Sequence, residues 1–187
     1  MREFILGGQK SGKSRTAEAR AAAWLATPGR AAVLIATALA GDAEMAERIA
    51  RHRRERAERV PGLITHEEPV ELAAALARCS RPDTLVVIDC LTLWLTQLAL
   101  PLVGPAASAG RLEAACAELC SSLRAAAGPV VLVSNEIGLG LAPLSPEARR
   151  FVDALGRLHQ QVAADCQAVT LMVAGCEWPI KRGATRV

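Results

Sequence analysis

Short apolar runs alternate with long amphipathic ones along this chain. The apolar runs occupy residues 3–6, 31–37, 84–89, 129–134 and 168–173, and most are near-continuous Val, Leu, Ile and Ala. Runs of that kind, without polar alternation, predict strands covered on both faces. Between them, apolar positions recur at helical spacing over residues 13–26, 42–59, 69–79, 91–98, 109–127 and 146–164. Strand and helix in turn predict β-α-β units, hence an α/β fold with a mostly parallel sheet and helices on both faces. Residues 62–66 add a candidate short edge strand. The segment 101–110, Pro-Leu-Val-Gly-Pro-Ala-Ala-Ser-Ala-Gly, reads as a loop. It is too short to link domains, composition does not shift across it and no internal repeat is visible, so residues 1–187 read as one domain.

Composition narrows this picture. Apolar residues make up 51% of the chain but aromatic ones only 3%. A core of Ala, Leu, Val and Ile suits helices on a parallel sheet better than an aromatic-rich β-sandwich. The net charge is only +3, which argues against a nucleic-acid partner. None of the six cysteines forms a Cys-x-x-Cys pair, and no His-rich segment completes a zinc site. Cys116 and Cys120 are four apart in a helical pattern and read as small buried hydrophobes. No stretch is apolar for long enough to span a membrane, and Phe4-Ile5-Leu6 is too short for a secretory signal. A cytoplasmic protein is expected.

The chemistry begins at Gly7-Gly8-Gln9-Lys10-Ser11-Gly12-Lys13-Ser14, which matches G-x-x-x-x-G-K-[ST] between a predicted strand and a predicted helix. Glycines there let successive backbone N–H groups turn toward phosphate oxygens, and the helix N-terminus adds its partial positive charge. Lys13 is placed to reach the β- and γ-phosphates, and the Ser14 hydroxyl to hold Mg²⁺. A P-loop NTPase with phosphoryl-transfer activity follows. Leu85-Val86-Val87-Ile88-Asp89 is an apolar strand ending in a carboxylate. The C-terminal ends of parallel strands face the ligand crevice, so Asp89 is a second candidate near Mg²⁺ or the nucleotide. Asn135-Glu136-Ile137-Gly138 is not the Asn-Lys-x-Asp element of switch GTPases.

The stretch 42–59 concentrates Arg48, Arg51, Arg53, Arg54, Arg56 and Arg59. Met45, Ile49, His52 and Arg56 fall on one row at helical steps, so His52 lies on the stripe that turns toward the protein body. Spacing leaves two readings open: a solvated basic helix with an incidental His, or an anion-facing wall with a His for acid–base or nucleophilic work.

Longer motifs surround these residues. They are Ala36-Thr37-Ala38, Asp42-x-Glu44-Met45-x-x-Arg48-Ile49-x-x-His52, Glu67-Glu68-Pro69 and Asp89-Cys90-Leu91-Thr92-Leu93-Trp94-Leu95-Thr96. Val133-Ser134-Asn135-Glu136-Ile137-Gly138-Leu139-Gly140 and Ala148-Arg149-Arg150-Phe151-x-Asp153-x-x-Gly156-Arg157 follow. With the P-loop they resemble the bifunctional adenosylcobinamide kinase/adenosylcobinamide-phosphate guanylyltransferase family of cobalamin biosynthesis, over residues 4 to 175. The resemblance implies an RecA-like, mostly parallel sheet and a homotrimer. It implies ATP or GTP phosphorylating the aminopropanol hydroxyl of adenosylcobinamide. GMP then passes from GTP to adenosylcobinamide phosphate, giving adenosylcobinamide-GDP and pyrophosphate.

By the same resemblance His52 is the covalent GMP carrier, with Lys13 the other catalytic residue. Nucleotide contacts fall on Gly7, Gly8, Gln9, Lys10, Ser11, Gly12, Lys13, Ser14, Ala36, Thr37, Ala38, Arg53, Arg54, Glu55, Arg56, Glu67 and Asp89. Leu63 stands where the family usually has an aromatic residue, and His159 where it usually has Asn. Two other readings compete: a monofunctional small-molecule P-loop kinase, in which His52 would be dispensable, and an RecA-like ATPase acting on nucleic acid, whose affinity would fall steeply with salt.

Overall fold

A computed structural model describes residues 1–102 and 104–182. Val103, inside the predicted loop, and residues 183–187, the end of the expected domain, lie outside the described residues. The elements run β1 (Arg2–Gly7), α1 (Lys13–Leu25), β2 (Ala31–Ala36), α2 (Ala43–Arg59), β3 (Leu63–Glu67), α3 (Leu72–Cys79) and β4 (Thr84–Asp89). They continue with α4 (Leu91–Ala99), α5 (Ala109–Ala125), β5 (Val130–Asn135), α6 (Pro146–Asp165), β6 (Ala168–Val173) and β7 (Cys176–Lys181).

The seven strands form one sheet in the order β3-β2-β4-β5-β1-β6-β7, parallel except for β7. Alternate side chains of each central strand enter opposite layers. Phe4, Val86, Ile88, Val130 and Leu132 pack under α3, α4, α5 and α6. Ile5, Leu85, Val87, Val131 and Val133 pack on the other face, against Ala17 and Ala21 of α1. The small side chains of α1 let its backbone approach the sheet closely, which fixes the helix start directly beyond β1. The α/β sheet with helices on both faces therefore stands as the sequence predicts.

Two elements differ from expectation. The helix predicted from residue 69 begins at Leu72, because the Glu68 carboxylate accepts the backbone N–H groups of Val70 and Glu71 and holds a turn there. The antiparallel strand β7 is an addition to the predicted elements. A two-residue turn, Ala174-Gly175 with φ of 51° and 83°, folds it back along β6. Its residues are all exposed and include Pro179, tolerated because this is a sheet edge.

Candidate functional site: a phosphate cradle facing a basic helix

The C-terminal ends of β1, β2, β4 and β5 open onto a cavity of about 540 Å³. Its floor is the loop between β1 and α1. Gly7 cannot be replaced there without cost: a Cβ on it would lie 2.5 Å from the Met172 carbonyl oxygen and 2.7 Å from Ser11 Oγ. Gly12 enters α1 at φ 102°, in the left-handed region, and Lys10 sits at φ 56°. The first intrahelical bond of α1 is Thr16 N–H to Gly12 O, so the N–H groups of Lys13, Ser14 and Arg15 have no helical acceptor. These free donors and the helix dipole make the cradle an anion site.

Lys13 is buried, and its ammonium donates to Gly8 O at 2.5 Å and to Ser11 Oγ at 3.4 Å, across the mouth of the loop. Burial lowers its pKa, with Cys90 and Asp89 opposing. At the end of β4, Asp89 Oδ1 accepts the Ser14 hydroxyl at 3.4 Å, and Arg56 Nη2 lies 3.9 Å from Oδ2. Burial raises the Asp89 pKa in spite of Arg56 and Ser14, and His52 acts in the same lowering sense as those two. The Glu18 carboxylate adds to the raising sense.

The basic helix forms the facing wall. Asp42 caps it by accepting the Met45 N–H at 2.7 Å. His52, Arg53, Glu55 and Arg56 line the cavity, and Arg53 pairs with Glu67 at the end of β3. Residues Gln9 to Ser14, Ala36, Ala38, Glu67 and Asp89 line the same space. Four expected nucleotide contacts sit otherwise. Arg54 is exposed outside the lining, on the far side of α2. Thr37 is fully buried, its hydroxyl donating to Cys90 O at 2.7 Å and accepting the Cys90 N–H at 2.8 Å. It ties β2 to the end of β4. Gly7 serves as the back of the loop, its carbonyl accepting the Glu136 N–H at 3.0 Å. Gly8 stands outside the lining and offers its carbonyl to Lys13.

Sequence reasoning did not assign Asn135, Arg59 or Thr65, which also line the cavity. Asn135 ends β5 as Asp89 ends β4, and the same strand-end rule would have found it. Behind this wall His159 is buried against Phe4, its Nε2 2.8 Å from Ser134 Oγ and its Nδ1 3.6 Å from Glu136.

Residues 3–180 match the model of the cobinamide kinase / cobinamide phosphate guanyltransferase family. The chain is 47% identical to the bifunctional adenosylcobalamin biosynthesis protein CobP of Pseudomonas aeruginosa, over 97% of this chain and 98% of that protein. It is 34% identical to the bifunctional adenosylcobalamin biosynthesis protein CobU of Escherichia coli, over 95% and 98%. Among solved structures, the flagellar accessory protein FlaH of Methanocaldococcus jannaschii matches with a TM-score of 0.53 at 10% identity, covering 97% of this chain and 78% of that one. At this identity the likeness is one of fold.

Proposed function

Because this chain belongs to the cobinamide kinase / cobinamide phosphate guanyltransferase family, we propose that one cradle serves both reactions and that His52 carries the guanylyl group between them. The two activities themselves are those of the family: phosphorylation of cobinamide and guanylyl transfer to the phosphate. The observation that carries the proposal is that His52 lines the same cavity as Lys13, Ser14 and Asp89.

In the first reaction the free N–H groups of α1 and the Lys13 ammonium hold the triphosphate of ATP or GTP. The acceptor hydroxyl of adenosylcobinamide attacks the γ-phosphorus, and the nucleoside diphosphate leaves. The Lys13 ammonium faces charge that grows on the transferred group and the leaving oxygen. In the second reaction an imidazole nitrogen of His52 attacks the α-phosphorus of GTP. A P–N bond forms, the bond to the β-phosphate oxygen breaks, and pyrophosphate leaves. A phosphate oxygen of adenosylcobinamide phosphate then attacks the same phosphorus, the P–N bond breaks, and adenosylcobinamide-GDP is released. Splitting the transfer in this way replaces one difficult displacement by two easier ones.

Ser14 and Asp89 present hard oxygen donors side by side, a donor set that fits a divalent cation. Mg²⁺ held there would neutralise phosphate charge. The predicted homotrimer and cytoplasmic location extend the same reading, and light scattering of the purified protein tests the first.

The decisive experiment supplies GTP labelled at the α- or the γ-phosphate, with and without adenosylcobinamide. The α-label should enter protein as an acid-labile, base-stable adduct, and His52→Ala should take up none while still transferring the γ-label. An adduct that survives His52→Ala, or maps to His66 or His159, overturns the assignment.

A further inference from the structure

The helix that carries His52 is held to the protein in an unusual way. Over its 17 residues α2 buries a single side chain, and that side chain is Arg56. Met45 and Ile49 are only partly covered, so no apolar stripe seats the helix as it does for α5 and α6. What meets Arg56 is Glu18, on α1 one turn beyond the phosphate cradle and only 2% exposed. Arg56 Nε donates to Glu18 Oε1 at 3.4 Å. Arg59 places Nε and Nη2 at 2.9 and 2.8 Å from Glu18 Oε2. Each carboxylate oxygen of Glu18 thus takes one arginine of α2. Arg56 also donates to Thr65 Oγ1 at 3.4 Å, which joins the clamp to β3.

We infer that Glu18 is the positioning residue that docks α2 on the cradle and so sets His52 against the α-phosphate. This rests on the reading of His52 as guanylyl carrier. The physical case is one of burial. Glu18 occupies a helix face otherwise packed on the sheet through Ala17 and Ala21, where an unpaired carboxylate would be costly. It is tolerated because two guanidinium groups from α2 satisfy it. The satisfaction runs both ways, since Arg56 is buried like Glu18 and has no other carboxylate nearer than Asp89 at 3.9 Å. A helix seated by ion pairs instead of apolar area is fixed in direction yet releasable. Arg56 therefore has two anions within reach, Glu18 and whatever occupies the cradle beside Asp89. His52 lies one helical turn before it, so docking of Arg56 sets the imidazole's position.

Lys13, Ser14 and Asp89, which serve phosphoryl transfer in the proposed function, sit on α1 and β4. Helix α2 approaches them through Arg56, 3.9 Å from Asp89, so this reaction should depend less on the docking of α2 than adduct formation on His52 does. The test is Glu18→Gln, with Arg59→Ala as a milder second variant, at saturating nucleotide. Single-turnover formation of the α-labelled adduct should fall at least tenfold in Glu18→Gln and less in Arg59→Ala. Turnover of the γ-label onto adenosylcobinamide should fall by a smaller factor than adduct formation in each variant. Amide hydrogen exchange should quicken across α2 and stay unchanged in β1, β4 and β5. A general loss of fold would lower both label transfers in proportion and speed exchange in the strands, and that result overturns the inference. So does an unchanged adduct rate, or unchanged exchange in α2. If His52→Ala still forms the adduct, the carrier reading has failed on its own, and α2 exchange alone then decides whether Glu18 docks the helix.

Discussion

Lys13 offers the sharpest separation between what a residue does for stability and what it does for chemistry. Lys13→Met keeps the unbranched apolar stem and deletes the ammonium. In the folded protein that ammonium is desolvated, has a backbone carbonyl and a hydroxyl as its hydrogen-bond partners, and has its pKa lowered by burial. A lysine whose folded pKa lies below its unfolded one destabilises the fold at every pH below the unfolded pKa, and neutral pH lies below it. The two hydrogen bonds offset part of the cost, so removing the charge should change stability by about 1 kcal/mol or less, on the stabilising side. For a chain of this size that is an unchanged melting temperature or a rise of roughly 2–4 °C. Activity should move the other way. One preorganised cation aimed at developing phosphate charge is typically worth about 3–4 kcal/mol, or roughly 10² to 10³ in rate. If one cradle serves both reactions, as proposed, γ-transfer to adenosylcobinamide and adduct formation from α-labelled GTP should fall together. A thermal melt and the two label assays on one preparation suffice. Normal turnover in the folded variant, or loss of only one reaction, refutes the single-cradle reasoning.

Two further outcomes are expected. Asp89→Asn should raise the Mg²⁺ concentration for half-maximal activity by about tenfold, a loss of roughly 1.4 kcal/mol of interaction, with little change in melting temperature because the Leu85–Ile88 core is untouched. An unchanged metal requirement would assign the carboxylate to the nucleotide itself. Burial lowers the His159 pKa against the opposing pull of Glu136, so the fold holds a neutral imidazole and its contribution is present above about pH 6.5 and lost as pH falls toward the lowered value. Between pH 7 and pH 5, urea melts of the parent should lose up to about 1.4 kcal/mol per pH unit more than those of His159→Asn, and equal slopes would refute this.

The parts of the fold legible in the sequence are those in which one local rule and burial agree. Strand β4 is legible at residues 84–89 because both of its faces are dry, so nothing polar interrupts the run. Strand β7 escapes the same reading for the opposite reason. It is exposed throughout, carries Pro179 and charged residues, and turns at Ala174, where a non-glycine residue adopts positive φ. Thr37 enters as a nucleotide contact only through the resemblance, and no local pattern reveals that its hydroxyl bonds the backbone of Cys90.

Helix α2 shows where periodicity succeeds and where it stops. The row Met45, Ile49, His52, Arg56 identifies the face that turns inward, and that face lines the cavity. Periodicity normally implies that apolar burial holds such a face down, and here it does not. The buried member of the row is a guanidinium, and its counter-charge lies 38 residues earlier on another helix. No spacing rule links Glu18 to Arg56, because their meeting depends on how α1 and α2 pack over the sheet. Yet the pairing has a local trace. A glutamate one turn beyond a P-loop lysine, on a face otherwise made of Ala17 and Ala21, has no place in an apolar layer unless a cation reaches it. In this chain the nearest dense supply of cations is the arginine-rich helix. The physical question of what neutralises Glu18 therefore leads to the same helix as the proposed guanylyl carrier, His52. That convergence makes the docking of α2 the step on which the two activities should separate.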